Sequence, residues 1–522
     1  MNIRKLLIVV HRWMGIMGGL LFVAWFISGI VFMYWTMPAY SNRERLGQLP
    51  HINFSTARVE PMDAAANAGI KPTRLRIGMS YDGRPIYRFQ GNVSVFADTG
   101  HRVPGRNANE AIALVRRLEP ANGSTVRYEE LREDIDLWTA GGPAAQMPLH
   151  KITLGDSAAT YYYVSQKTGE VVMKTDRESR FWGFLGPVLH QWYFTSLRRN
   201  NDLWDKLILW GSILGSLMCL SGLVAGVWMY SVKRGSPYSG WVWWHHYSGL
   251  LFGLVTFTWI FSGGLAFNSY GIGNSTNPTP QQRDAATGGA LQLEQVTLAN
   301  LKKSISAITP VFTPKEADVL QFRGELYLFA ADGPPERQLI GLTEREWTPN
   351  WPDYRMVWLK HPERGPFTRF DNNAMLDIAR DAMPGVGLAE ATWLTRYDNY
   401  YRSRLEGLPL PVLRARYMDA EQTWLYIDPN RGIVAWREER GSRLRRWLYN
   451  GLHKFDFPVI YYGPRPLWDI VVIALSIGGL ILSSTTLLPG FRRLLRHSKR
   501  ILRRTGIHRL PHFQEKPASE GD

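Results

Sequence analysis

His11-Arg-Trp-Met-Gly15-Ile-Met-Gly-Gly19, followed by Trp25 and Ser28-Gly29, returns at a constant offset of 234 as His245-His-Tyr-Ser-Gly249-Leu-Leu-Phe-Gly253, Trp259 and Ser262-Gly263. In both copies the histidine and the two glycines are spaced by four, which puts them on one face of a helix. Each copy lies in a stretch without charge, Trp13 to Trp35 in the first case and Gly235 to Gln282 in the second. About 20 apolar residues cross the hydrocarbon core of a bilayer. Two further stretches are long enough, from Lys206 to Lys233 and from Ile470 to Phe491, so four transmembrane helices are expected. The first is too long for a cleaved signal sequence and no small-x-small site follows it, so it reads as retained.

Short basic flanks orient these helices. Arg4, Lys5 and Arg12 precede the first, Lys233 and Arg234 separate the second from the third, and nine Lys/Arg residues follow the fourth. Those ends are expected in the cytoplasm. The organisation is then 1–35 as cytoplasmic N-terminus and first span, 36–201 as a first periplasmic domain, and 202–232 as the second span. A cytoplasmic loop at 233–244, a third span at 245–270, a second periplasmic domain at 271–465, a fourth span at 466–490 and a basic cytoplasmic tail at 491–522 complete it. Each periplasmic domain ends in a juxtamembrane histidine segment. The location implied is a bacterial inner membrane, crossed several times.

A second repeat covers the end of both outer domains. Pro148, Asp156, Tyr163, Gly169, Ser179, Arg180, Leu189, His190 and Phe194 match Pro411, Asp419, Tyr426, Gly432, Ser442, Arg443, Leu452, His453 and Phe457 at a constant offset of 263. The chain therefore reads as a duplicated unit of helix, outer domain, juxtamembrane histidine and helix. Arg84–Val103 and Thr160–Val172 alternate apolar and polar residues around Asp98-Thr-Gly100 and Lys167-Thr-Gly169, as β-hairpins do. Glu325–Leu342 and Thr423–Trp436 are their counterparts. Helical patterns at Ala108–Arg117 and Ala374–Ala382 make the outer domains α+β.

Composition narrows the chemistry. The net charge is +16 and there are 21 tryptophans; the basic residues cluster beside apolar runs and no nucleic-acid motif accompanies them, so a membrane surface explains both better than nucleic acid does. One cysteine, Cys219, excludes an intrachain disulfide, cysteine-based zinc and iron–sulfur sites and covalent c-type haem attachment. No G-x-G-x-x-G after a strand, Walker lysine or flavin domain is present, so the chain does not itself take hydride from a nicotinamide.

The chain resembles the PepSY-associated transmembrane proteins, which include iron-regulated inner-membrane proteins and ferric-siderophore reductases. The resemblance rests on H-x3-G-x3-G at His11 and His245, the W-x2-S-G endings, Tyr426-Ile-Asp-Pro-Asn-Arg-Gly432, and Leu452-His453 followed by Trp468-Asp469. It implies two b-type haems held by histidines in a four-helix core, two PepSY-like outer domains, an electron donor in the cytoplasm or a membrane quinol, and a ferric siderophore as acceptor.

Spacing points the same way. The two repeats put His11 and His245 at similar depth near the cytoplasmic face, and His190 and His453 near the outer face, as the two imidazoles of a haem require. Gly15, Gly19, Gly249 and Gly253 offer bare helix faces to a macrocycle or to another helix. The plain alternative is that the histidines bond headgroups and the glycines pack helices. His246 could replace His245, although only His245 keeps the four-residue step to its glycine. His51, His101, His150, His361, His497, His508 and His512 read as surface residues. Trp25 and Trp259, about 21 Å along the helix from the histidines, either pack or aid electron transfer. The Arg492–Arg504 tail either lies on anionic lipid or docks an acidic donor. A second function class is a non-catalytic anchor whose outer domains bind a peptide, protease or cell-wall partner.

Overall fold

The computed structural model describes residues 3–267, 273, 275–331, 354–402, 408–461 and 466–504, with 42, 43 and 501–504 given by backbone alone. The expected continuation of the Glu325 hairpin from residue 332, the tail beyond 504, and His508 and His512 lie outside these residues. The chain divides into two compact units, one formed by 1–30, 208–264 and 470–522, the other by 31–207 and 265–469.

Four long helices, Ile3–Phe32, Asn201–Met229, Gly240–Gly263 and Leu467–Arg504, supply the first unit. Three of them, Ile3–Phe32, Asn201–Met229 and Leu467–Arg500, are long and apolar enough to cross a membrane. The third long helix, Gly240–Gly263, starts ahead of the expected span. It carries no Asp, Glu, Lys or Arg, but His245, His246, Ser248 and the tryptophans dilute its apolar character. The fourth runs on past Pro489 through the basic residues to Arg504 as one helix.

Close approaches link the helices in sequence. A Cβ on Gly253 would lie 2.9 Å from Leu223, one on Gly478 would lie 2.3 Å from Phe252, and one on Gly19 would lie 2.6 Å from the Thr486 hydroxyl. The outward faces are apolar, with Met17 84% exposed and Leu251 71% exposed. Such a surface belongs against lipid.

Among the described residues the second unit contains fourteen strands: β1 (Arg76–Met79), β2 (Pro85–Arg88), β3 (Ser94–Phe96), β4 (Arg127–Arg132), β5 (Leu149–Thr153), β6 (Tyr161–Ser165), β7 (Val171–Thr175), β8 (Glu316–Phe322), β9 (Glu325–Ala331), β10 (Tyr354–Trp358), β11 (Leu388–Leu394), β12 (Val412–Tyr417), β13 (Trp424–Asp428) and β14 (Ile433–Glu438). They form two four-stranded antiparallel sheets, β4-β5-β6-β7 and β11-β12-β13-β14, and one six-stranded sheet, β10-β9-β8-β1-β2-β3. Three strands from each of the two expected outer domains join into one sheet through β1 and β8.

The joint is charged. Arg76 pairs with Asp318 and Gly78 with Glu316 across β1 and β8. Glu316 accepts from both Nη atoms of Arg45 at 2.8 and 2.6 Å, from Arg88 at 2.6 Å and from Arg76 at 3.2 Å. Burial pushes the Glu316 carboxyl up, but the guanidiniums of Arg45, Arg88 and Arg76 outweigh it and hold it at about 2. Beneath the sheet, Leu301 and Ile308 of helix Leu298–Ile308 pack on Ile77, Val95 and Val319. Both are fully buried, and each contributes on the order of 2 kcal/mol.

The expected hairpins at Thr160–Val172 and Thr423–Trp436 are β6–β7 and β13–β14. Arg84–Val103 holds two turns, Gln90–Asn92 between β2 and β3 and a second one closed by the Val95–Arg102 bridge. Helices Ala108–Leu118 and Asn372–Asp381 match the expected patterns. The first opens where Asn107 and Glu110 cap each other's backbone N–H, at 3.0 and 2.8 Å.

Candidate functional site

The match at an offset of 263 is mostly scaffolding. Asp156 accepts from the Thr160 backbone N–H and hydroxyl at 2.8 and 2.7 Å, and Asp419 does the same with Thr423 at 2.7 and 2.7 Å. Tyr163 and Tyr426 donate to Asp136 and Asp398, each at 3.0 Å. Arg180 donates to the carbonyl of Ala159 at 2.8 Å, and Arg443 to that of Gln422 at 2.9 Å. Ser179 and Ser442 accept the backbone N–H of Asp176 and Glu439, 3.0 and 2.8 Å away, and so start the helices that lead to the histidines.

Those helices lead into the same irregular turn. A π-helical stretch, Phe184–Val188 or Arg446–Gly451, passes into Leu189–Gln191 or Leu452–Lys454, and the chain then turns through left-handed Trp192 (φ 55°) or Phe455 (φ 50°). A non-glycine residue in that conformation costs on the order of 1 kcal/mol or more and is retained where the surroundings fix it. They do so here. The Trp204 indole donates to the Gln191 carbonyl and the Trp468 indole to the Lys454 carbonyl, both at 2.9 Å. The result brings His190 and His453 together, with ring centroids 6.1 Å apart and planes at 55°. Phe32 flanks His190 at 5.7 Å, and Tyr449 stacks on His453 at 5.6 Å.

The helical unit contains a second pair. His11 and His245 lie with centroids 6.1 Å apart and planes at 32°. His11 Nδ1 meets the Met218 carbonyl at 3.0 Å and the Ser221 hydroxyl at 3.3 Å. His245 Nδ1 meets the Leu482 carbonyl at 3.4 Å and the Thr485 hydroxyl at 3.1 Å. Met218 and Leu482 are related by an offset of 264, as are Ser221 and Thr485, so the two imidazoles have matched surroundings. Neither hydroxyl stood out in the sequence, because the offset moves from 263 to 264 after Phe457 and serine is exchanged for threonine.

Gly222 also went unnoticed in the sequence. A Cβ there would lie 2.4 Å from His11 Cε1, so only glycine lets the ring lie against the second helix. The four expected glycines divide their roles. A Cβ on Gly15 would meet nothing within 4 Å and one on Gly249 only Leu482 at 3.6 Å, while Gly19 and Gly253 are close helix contacts.

Both ring nitrogens of His246 are occupied, Nδ1 by the Ser236 hydroxyl at 2.7 Å and Nε2 by the Gly226 carbonyl at 2.8 Å. His246 therefore ties the interhelical loop down. His150, expected on the surface, is buried at 2% exposure, with Tyr128 on Nδ1 at 3.1 Å and the Arg106 carbonyl on Nε2 at 2.7 Å. An isolated histidine carries no periodicity from which its burial could be read. Trp25 packs on Phe22 and Trp259 on Phe26. Ser28 and Ser262, both fully buried, donate back to the Trp25 and Trp259 carbonyls at 3.1 and 3.2 Å, which accounts for the W-x2-S spacing.

Two imidazoles facing one metal from opposite sides, each with a bond of about 2 Å and a ring centre about 1 Å further on, would have centroids about 6 Å apart. Both pairs meet that spacing. Among the described residues no three His, Cys, Asp or Glu come together as a metal-ligand group, so each pair offers two ligands and a bound group would bring the rest. Compared with models of known protein families and with curated proteins, the chain matches none.

Proposed function

We propose that this chain is a duplicated, four-span protein of the bacterial inner membrane that holds two b-type haems and passes electrons to a ferric siderophore or similar ferric complex in the periplasm. The single observation that carries the reading is the recurrence of one imidazole pair, at 6.1 Å, on both offset-matched sets of histidines. Haem would bring most of its iron's ligands with it, so a pair of imidazoles is all that the protein would have to add. His11 and His245 would hold one haem, and His190 and His453 the other. Arg12, next to His11, has a buried Nε without a hydrogen-bond partner among the described residues, a donor suited to a propionate.

Haem, when bound, supplies an iron that changes charge by one electron. The protein's part is to hold neutral imidazoles in place and to keep lipid and water off the metal. By chain position the His11 pair belongs to the cytoplasmic ends of the helices and the His190 pair to the periplasmic side. The donor is a cytoplasmic protein or a quinol, since no nicotinamide or flavin motif is present. The siderophore acceptor and the PepSY-associated family rest on the sequence resemblance.

The visible spectrum of detergent-purified protein tests this reading. Sharp b-type bands on dithionite reduction, with about two haems per chain, are expected; colourless protein from haem-replete cells would leave the four histidines as ring packing and favour the binding-anchor function. A second test leaves every histidine in place. Gly222→Ala forces the His11 ring to move and is expected to lower the haem content to about half, with the remaining haem spectrally unchanged; full content would show that His11 is not held where a ligand must be.

A further inference from the structure

We propose that Ser221 and Thr485 are positioning residues that fix the tautomer of the His11/His245 pair and thereby set how strongly these imidazoles bind iron. The inference rests on the haem reading above. Its basis is the direction of two hydrogen bonds. Ser221 donates its own proton to the Met218 carbonyl at 2.7 Å, and Thr485 donates to the Leu482 carbonyl at 2.6 Å. Each hydroxyl has one proton and lone pairs to spare. With the proton committed to its own helix, the hydroxyl can only accept from the imidazole, and a carbonyl can only accept as well. Both partners of each Nδ1 are therefore acceptors, so the proton of the neutral ring sits on Nδ1. The Nε2 lone pair is left for a metal.

A hydrogen bond from the far nitrogen is how a metal-bound histidine is oriented and made a stronger donor. A stronger donor favours ferric over ferrous iron, so weakening the bond raises the midpoint potential. The two rings are not held equally. His11 has its carbonyl closer than its hydroxyl, 3.0 against 3.3 Å, whereas His245 has the hydroxyl closer, 3.1 against 3.4 Å. Removing the Thr485 hydroxyl leaves His245 a long carbonyl contact; removing that of Ser221 leaves His11 its better bond.

The test compares Thr485→Val, Thr485→Ser and Ser221→Ala in the full chain by redox titration, low-temperature electron paramagnetic resonance and haem retention. Thr485→Val is expected to raise the potential of one haem, move its low-spin signal and loosen it about tenfold. Ser221→Ala should shift the same haem less, and Thr485→Ser should restore it. The haem of His190 and His453 stays at its wild-type potential and shows that the variant has folded. Unchanged potentials and signals in Thr485→Val, or a Thr485→Ser protein that behaves like the valine variant, would overturn the proposal while leaving the haem reading intact. A wild-type protein without haem would overturn both.

Discussion

His11→Ala is expected to lose one of the two haems and keep the other, and His245→Ala to lose the same one. On the haem reading, losing one imidazole of a pair would leave the group held by a single residue, so removing the second partner would add little. Residues that share one bound group are non-additive in this way. His190→Ala and His453→Ala should remove the other haem, and His11→Ala combined with His453→Ala should leave none. His246→Ala should keep both, because its nitrogens are already taken by Ser236 and Gly226. Haem content by pyridine haemochrome, with spectra of the remaining centre, decides the matter. Full haem in all four single variants would mean that the two histidine pairs are side-chain packing and that the electron-transfer reading has no support.

Glu316→Ala is expected to be the most destabilising single change in the sheet-containing unit. The Glu316 side chain is 9% exposed and receives Arg45, Arg76 and Arg88. Truncating it leaves partly buried guanidiniums with one carboxylate fewer among them, and breaking a buried pair from one side costs about 3–5 kcal/mol. The same group makes stability depend on pH. Its folded value of about 2 is below the ordinary 4.5, so its contribution is fully present above about pH 4.5 and is lost as pH falls toward 2. On the order of 3 kcal/mol is linked to that titration. Tryptophan-fluorescence denaturation of the solubilised protein at pH 7 and pH 3 measures both effects. A variant as stable as wild type at pH 7, or one that loses as much stability on acidification, would refute this account of the joint.

The long helices were legible because apolar runs of that length have few alternatives, although the first begins well ahead of Trp13 and the fourth runs on through the basic residues to Arg504. The hairpins at Lys167-Thr-Gly169 and Asp428-Pro-Asn-Arg-Gly432 were legible because turn chemistry is local. The sharing of one sheet by two segments was not. Pairing of Arg76 with Asp318 and of Gly78 with Glu316 joins strands from opposite halves of the chain, and nothing in either strand names its partner. Of the site, the four histidines could be found because two constant offsets single them out. The residues around them could not, because Ser221, Gly222 and Thr485 differ in identity or lie past the shift in offset. The irregular turns at His190 and His453 were also illegible, since a π-helical stretch has the composition of an ordinary helix.

The β1–β8 pairing has a consequence for how the molecule is made. Ribosomes add roughly 5–20 residues per second in the range known for protein synthesis, so β1 waits on the order of ten to fifty seconds for β8. During that interval the amino-terminal half presents β1 as an open strand edge, the kind of surface that recruits foreign strands. Neither imidazole pair exists in that interval either, because each draws one histidine from each half. If the pairs hold haem as proposed, a nascent chain could not grip it from both sides until its second half had been translated, and cofactor loading would belong to the closing stage of biogenesis. A holdase at the membrane surface would have its longest task with the first half of this protein.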